Sequence, residues 1–335
     1  MTTLGVVGLG RIGAFHADTL SGLDGVDGLV VTDQRPELVA AVAAKHGAKP
    51  ADSVEALLTS GIDGVVVSAA TPAHAELTLA AVERGLPTFC EKPIASTAAE
   101  SARVADVIAR SGVPVQIGYQ RRFDAAFAAA KRAVDDGSLG PLHTVRSTTM
   151  DPAPPPMEYI AGSGGIFRDC AVHDFDVIRW ITGQQAVEVY ATGSVQGDPQ
   201  FTEFGDVDTA AIVVRFDQGT LGLVSAARYN GHGYDCRVEV HGFYDTVVAG
   251  WDQGVPVRNT DPHNEFPVGP AHHFFMDRFT DAFRAELTAF VDVVNGAAAP
   301  AVTVADAVEV AWLADAATES FKRGVPVSIE EVRSR

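Results

Sequence analysis

Three short stretches of this chain combine residue types and spacings that could do chemistry. Gly8-Leu9-Gly10-Arg11-Ile12-Gly13 has the G-x-G-x-x-G spacing, Glu91-Lys92-Pro93 sets a lysine between an acid and a proline, and Asp169 precedes His173 by four residues. The glycines suit a phosphate cradle. The first permits a tight turn, the second lets the backbone approach a pyrophosphate, and the third lets a helix pack closely on a strand. Free N–H groups and the positive dipole at that helix start then favour an anion. Twenty residues beyond Gly13 stands Asp33, which could accept hydrogen bonds from adenosine ribose hydroxyls and repel a 2′-phosphate, favouring NAD over NADP. Arg35, two residues on, is the opposing signal. On a helix, Asp169 and His173 share a face. A carboxylate there can fix the imidazole tautomer and leave the other ring nitrogen for proton transfer. The same spacing equally suits a helix-start aspartate beside a structurally satisfied histidine. Arg121 and Arg122 place two cations after the last strand of the first half, as an interdomain anchor or near an incoming substrate.

The elements that must position these residues follow from periodicity. Residues 1–120 alternate apolar β-branched runs (4–8, 29–32, 64–68, 88–90, 115–118, and a weaker one at 48–50) with amphipathic helical stretches (12–21, 37–46, 54–58, 73–84, 97–110). That alternation predicts βαβ units and a parallel sheet covered on both faces. Glycine loop and acid then fall at the carboxyl ends of the first two strands, and Lys92 at the end of another, where open parallel sheets bind ligands. After residue 120 the pattern changes. A helix at 124–136, a strand at 142–149, a Pro-rich loop at 151–157 and one helix over about 166–181 lead into strands at 186–193, 209–216, 220–229, 236–241 and 245–249. Helices at about 275–295 and 304–323 close the chain. Asp217-Gln218-Gly219 marks a hairpin. The fold class expected is therefore α/β: an N-terminal Rossmann parallel sheet, and a C-terminal α+β domain over 121–335 built on a large, mostly antiparallel open sheet. The last helices are expected to pack back on the first domain.

Composition bounds the function. The 335 residues carry a net charge of −18, which lacks the cationic face that nucleic acid needs. No apolar run approaches the ~20 residues that span a bilayer. The chain opens directly on a strand without a basic, cleavable leader, and its three cysteines (Cys90, Cys170, Cys236) have no metal-type spacing. Both features predict a cytoplasmic, reducing location. His272-His273 lacks a third ligand, so no metal is expected.

Taken in order, the glycine motif, Thr71-Pro72-Ala73-His74, Glu91-Lys92-Pro93, and Asp169 with His173 resemble the glucose–fructose oxidoreductase / inositol dehydrogenase / rhizopine-catabolism family over essentially the whole chain. The stretch 112–124, ending Arg-Arg-Phe-Asp, is similar to inositol 2-dehydrogenases. The resemblance implies an NAD-dependent oxidation of a ring hydroxyl of a cyclic polyol. His173 would be the general base, Lys92 would bond the same oxygen, and Asp169 would orient His173 and touch substrate. It further implies cofactor contacts from Gly8, Gly10, Arg11, Ile12, Gly13, Asp33, Gln34, Arg35, Thr71, Pro72, His74, Glu91 and Lys92, substrate contacts from Arg122, Asp151 and His232, and a dimer or tetramer formed through the open sheet. Three positions depart from an inositol dehydrogenase: Asp151 where an asparagine precedes the proline, His232 where a tyrosine is usual, and Phe283 where a tyrosine is frequent. Such swaps move substrate discrimination and leave the chemistry standing. A pyranose or anhydro-sugar dehydrogenase, and a non-catalytic dinucleotide-binding regulator, are the alternatives.

Overall fold

A computed structural model describes residues 2–334. The chain forms two compact units: unit 1 runs to Gln120 and includes Asp281–Glu309, and unit 2 holds Arg121–Thr280 and the chain from Val310.

Unit 1 contains β1 (Thr3–Val7), α1 (Arg11–Ser21), β2 (Gly28–Thr32), α2 (Pro36–His46), β3 (Lys49–Pro50), α3 (Val54–Leu58), β4 (Gly64–Val67), α4 (Thr71–Val82), β5 (Thr88–Glu91), α5 (Ala98–Ser111) and β6 (Val115–Gly118). Their order in the sheet is β3-β2-β1-β4-β5-β6, and every pairing is parallel. This is the Rossmann order, whose direction reverses between β1 and β4. The two-residue period of a strand divides the core. Leu4 and Val6 point to one face with Leu20 and Phe290, while Val7 joins Leu57, Leu58 and Ala81 on the other. Burial on both faces is why these strands read as unbroken apolar runs.

Unit 2 begins within a short 3-10 turn (Gln120–Phe123). It holds α6 (Ala125–Asp135), β7 (Leu142–Met150), α7 (Met157–Gly162), α8 (Ile166–Asp169), α9 (Val172–Thr182), β8 (Ala186–Ser194), α10 (Gln200–Glu203), β9 (Thr209–Phe216), β10 (Leu221–Ala227), β11 (Asp235–Gly242), β12 (Thr246–Ala249) and α11 (Phe275–Arg278). The chain closes with α12 (Thr280–Val294), α13 (Val304–Arg323), β13 (Val327–Ser328) and α14 (Ile329–Arg333). The seven-stranded sheet runs β12-β11-β7-β10-β9-β8-β13 and is antiparallel except for the parallel pair β7–β10. One face is buried, with Val145, Ile212, Val214, Val224 and Val238 pointing inward and α9 packed along β7. The other exposes Tyr190, Val213, Leu221 and Val248. At the predicted hairpin Gly219 takes φ +94°, and its N–H reaches the Phe216 carbonyl.

Two predicted helices are interrupted. The stretch expected as one helix over 166–181 divides at Cys170–Ala171, where the Ala171 N–H reaches back five residues to the Ile166 carbonyl and widens the turn. The stretch 275–295 divides at Phe279. Neither break carries a glycine or proline, the residues that signal one in sequence. Among the described residues no helix is long and apolar enough to cross a membrane.

Candidate active site

In unit 1, Gly8, Ala69 and Lys92 stand just beyond the carboxyl ends of the neighbouring strands β1, β4 and β5. Gly8 has φ +90°, and a Cβ there would sit 2.5 Å from the Ala69 nitrogen, so only glycine fits between the two loops. A Cβ on Gly13 would lie 1.9 Å from the Gly8 carbonyl oxygen. That is the close helix–strand approach the motif predicts. At Gly10, by contrast, a Cβ would meet nothing nearer than Arg35 Nη2 at 3.9 Å. The backbone is open there, as a pyrophosphate requires. Helix α1 has no side-chain cap and no acid in its first turn, so its positive end is available to an anion. Asp33 Oδ2 accepts from the Leu9 N–H (2.6 Å), and Oδ1 accepts from the Arg35 N–H (2.9 Å). Burial pushes this carboxyl up, but those two backbone bonds and the Arg35 guanidinium outweigh it and hold the group below the usual carboxylate range. Asp33 thus braces the glycine loop as a fixed negative charge. The Arg35 side chain is mostly exposed beside it.

The other half of unit 1's ligand edge is tied by two histidines. His74, near the start of α4, is buried, with Nδ1 2.7 Å from the Pro93 carbonyl and Nε2 2.9 Å from the Ala69 carbonyl. Two acceptors demand two donors, so the ring is an imidazolium. Burial opposes that charge, but the Cys90 sulfur and the two carbonyls favour it and raise the group to about 9. His74, expected among cofactor contacts, therefore spends both nitrogens on the loops after β4 and β5. His16 Nε2 meets Glu91 Oε1 at 2.7 Å, and Glu91 Oε2 accepts from the Lys92 N–H at 3.2 Å. The main chain of Lys92 is held from both sides, by Glu91 and through Pro93. Phe283, one of the expected substrate-side departures, packs edge-on against Phe15 and His16 in this core.

In unit 2 the parallel pair creates the second cluster. The last register pair of β7 and β10 is Met150 with Ala227, so Asp151 and Arg228 are the first residues past two side-by-side carboxyl ends. The Asp151 N–H reaches the Ala227 carbonyl at 2.9 Å. Arg228, 4% exposed, donates from Nη2 to Asp169 Oδ2 (2.7 Å) and from Nη1 to Asp151 Oδ2 (3.4 Å). Tyr159 Oη donates to Asp169 Oδ1 at 2.8 Å. Burial and the neighbouring Asp169 carboxylate push the Asp151 carboxyl up against the pull of Arg228. Asp169 closes α8, and His173 is the second residue of α9, with its N–H on the Cys170 carbonyl. Because of the wide turn they do not share one continuous helix. His232 is exposed in the loop between β10 and β11.

Both arginines of the Arg-Arg pair are committed within unit 2. Arg121 is buried on Asp174 (2.9 Å), whose Oδ1 also accepts from Ser147 and Thr149. Arg122, expected at the substrate, donates from Nε and Nη2 to Asp176 and lies over the Trp180 ring. Sequence reasoning missed Arg228, Tyr159, Asp174 and Asp176. A lone arginine after a strand gives no local signal; its partners are 59 and 77 residues away. Asp174 and Asp176, one and three residues after His173, could have been read as partners for the two arginines.

Comparison with known proteins agrees with this architecture. Residues 2–119 match the oxidoreductase family with an NAD-binding Rossmann fold, and residues 127–247 match the GFO/IDH/MocA C-terminal domain. The chain is 37% identical to a myo-inositol 2-dehydrogenase of Thermotoga maritima, covering 98% of this chain and 99% of that protein. It is 35% identical to an inositol 2-dehydrogenase of Rhizobium meliloti, over 97% and 98%. Among solved structures, a scyllo-inositol dehydrogenase from Lactobacillus casei with bound NAD(H) and scyllo-inositol superposes with a TM-score of 0.89 at 26% identity, over 98% and 99% of the two chains. A two-unit chain with a Rossmann glycine loop, matched end to end by such proteins, belongs to the GFO/IDH/MocA oxidoreductase family.

Proposed function

We propose that this protein is an NAD-dependent dehydrogenase that oxidises a ring hydroxyl of an inositol to the ketone. The observation that carries the reading is that full-length similarity to inositol dehydrogenases coincides with an intact set of Lys92, Asp169 and His173. Gly8, Gly10, Gly13 and the start of α1 would hold the pyrophosphate, and Asp33 the adenosine ribose. When bound, the dinucleotide supplies the two-electron acceptor. The rest belongs to the side chains. His173 takes the hydroxyl proton as general base. Lys92 donates a hydrogen bond to the same oxygen and stabilises its developing negative charge. Asp169 orients His173 and accepts from a neighbouring hydroxyl. Positioned acid–base catalysis of this kind is worth roughly 10²–10⁴-fold. Asp151 and His232 are assigned to the substrate side. Arg122 is spent on Asp176 of α9.

A pyranose or anhydro-sugar is the second reading. It is favoured by Asp151, which presents a carboxyl beside Arg228 where the resemblance implies an amide. The exposed Tyr190, Val213, Leu221 and Val248 suit a dimer or tetramer formed through the open sheet face, and three free cysteines suit the cytoplasm. The test is NADH formation with NAD, then NADP, against myo-, scyllo- and chiro-inositol, glucose, xylose, galactose and an anhydro-sugar, in wild type and Lys92→Ala. Turnover of an inositol that Lys92→Ala abolishes supports the first reading. Turnover of sugars alone supports the second. NADH binding with no turnover anywhere supports a non-catalytic regulator instead.

A further inference from the structure

The chemistry proposed for Asp169 and His173 does not explain why a buried arginine is wedged between Asp169 and Asp151. Its position follows from topology. In a sheet that is otherwise antiparallel, β7 and β10 alone run side by side in the same direction, so their carboxyl ends open on one edge. Asp151 and Arg228 emerge there together. The Arg228 backbone is fixed by its N–H on the Asp208 carbonyl at 2.7 Å, and burial of the side chain, 4% exposed, limits its freedom. Its fork spans both carboxylates, while Tyr159 takes the other oxygen of Asp169. With Oδ1 on Tyr159 and Oδ2 on Arg228, the plane of the Asp169 carboxylate is set from two directions. A planar guanidinium can do this for two acids at once, whereas an ammonium is a point charge that meets one geometry at a time.

We infer that Arg228 is a positioning residue for the dehydrogenase reaction, holding Asp169 in the orientation from which it serves His173 and substrate, with Asp151 as the second anchor of the clamp. The inference rests on the proposed roles of Asp169 and His173. Arg228 acts through Asp169, so its loss lowers kcat more than it raises the KM for NAD, whose glycine loop lies in unit 1.

The experiment is a double-mutant cycle on the whole protein with whichever polyol or sugar it turns over: wild type, Arg228→Lys, Asp169→Asn and the double variant, each with a thermal melt and an NADH titration. Asp169→Asn is expected to lose roughly 10²-fold or more in kcat, the scale of positioned acid–base catalysis. Arg228→Lys is expected to lose about 10-fold or more with NADH affinity unchanged, and the double variant to be no worse than Asp169→Asn within about threefold, because a clamp has nothing to hold once its carboxylate is gone. Should Arg228→Lys melt early, Asp151→Asn/Arg228→Gln, which leaves no unmatched charge between those two partners, is compared with Asp151→Asn for the same loss in kcat. Wild-type kcat in Arg228→Lys, or losses that multiply in the double variant, overturns the inference. Full activity in Asp169→Asn overturns the functional reading itself, and the inference with it.

Discussion

Alanine at Gly10 and alanine at Gly13 should fail in opposite ways. At Gly13 the added Cβ would lie 1.9 Å from the Gly8 carbonyl oxygen and 2.6 Å from Ser68 Oγ. Real Cβ contacts stop near 3.0 Å, so α1 must back away from β1 by about 1.1 Å. That shift loosens His16, Ala17 and Leu20, the buried face of α1. Overpacking costs about 1–3 kcal/mol, and backbone that cannot rotate away places Gly13→Ala at about 3. At roughly 2–4 °C per kcal/mol for a domain of this size, its melting temperature falls by roughly 6–12 °C. Gly10 has ordinary extended dihedrals and open space around it. Gly10→Ala should therefore melt within about 0.5 kcal/mol of wild type, as surface changes do. It fills the volume through which the backbone would approach a pyrophosphate, and NADH affinity should fall roughly 10–100-fold, or about 1.4–2.7 kcal/mol. Scanning fluorimetry without ligand and NADH fluorescence titration separate the two effects. Gly10→Ala binding NADH like wild type, or Gly13→Ala melting like wild type, would refute the reasoning.

Asp33→Asn should raise the KM for NAD by roughly 10–100-fold, the scale of one charge-assisted hydrogen bond, and raise NADP turnover relative to NAD; an unchanged cofactor ratio would remove Asp33 from the selection. The Asp33 carboxyl is depressed in the folded chain, so its contribution is present above the unfolded value and lost as pH falls through the folded one. Asp33→Asn should accordingly flatten part of the acid side of a melting-temperature profile. His74 runs the other way: its folded value, about 9, lies above its ordinary 6.5, so its contribution is complete below pH 6.5 and gone once pH passes about 9. The difference sets a ceiling of about 3 kcal/mol, and His74→Gln should abolish that alkaline slope in melts between pH 6.5 and 9.5, approximately the titration window. Arg121→Met strands Asp174 without its guanidinium and should destabilise unit 2 by about 3–5 kcal/mol in urea melts; a cost under about 1 kcal/mol would show that Ser147 and Thr149 suffice.

What sequence made legible was local. The glycine loop, Asp33 and Lys92 are each read from a few neighbouring residues and a strand end, and the alternation that places them survives because βαβ units keep partners close in the chain. Asp169 and His173 were legible as a pair, but the wide turn at Ala171 was not, since it arises from one N–H choosing a carbonyl five residues back. Arg228 was invisible for a stronger reason. Its pairing with Asp151 is set by the register of residues 144–150 with 221–227, and a parallel register between distant strands leaves no period in either strand. His74 was expected from sequence as a cofactor contact; that both nitrogens are consumed by main-chain carbonyls depends on how two separate loops close.

The lone parallel pair of unit 2 also bears on how such a protein can diversify. Because β7 and β10 finish on the same edge, the segments that leave them, 151–165 and 228–234, can lengthen, shorten or change chemistry without altering a rung of the sheet. An antiparallel neighbour would send one of those segments to the far side. The sheet thus behaves as an invariant frame with two adjacent interchangeable inserts, and grafting those two segments together from a related dehydrogenase, keeping residues 151 and 228 matched as a pair, is the smallest exchange that should transplant a substrate preference.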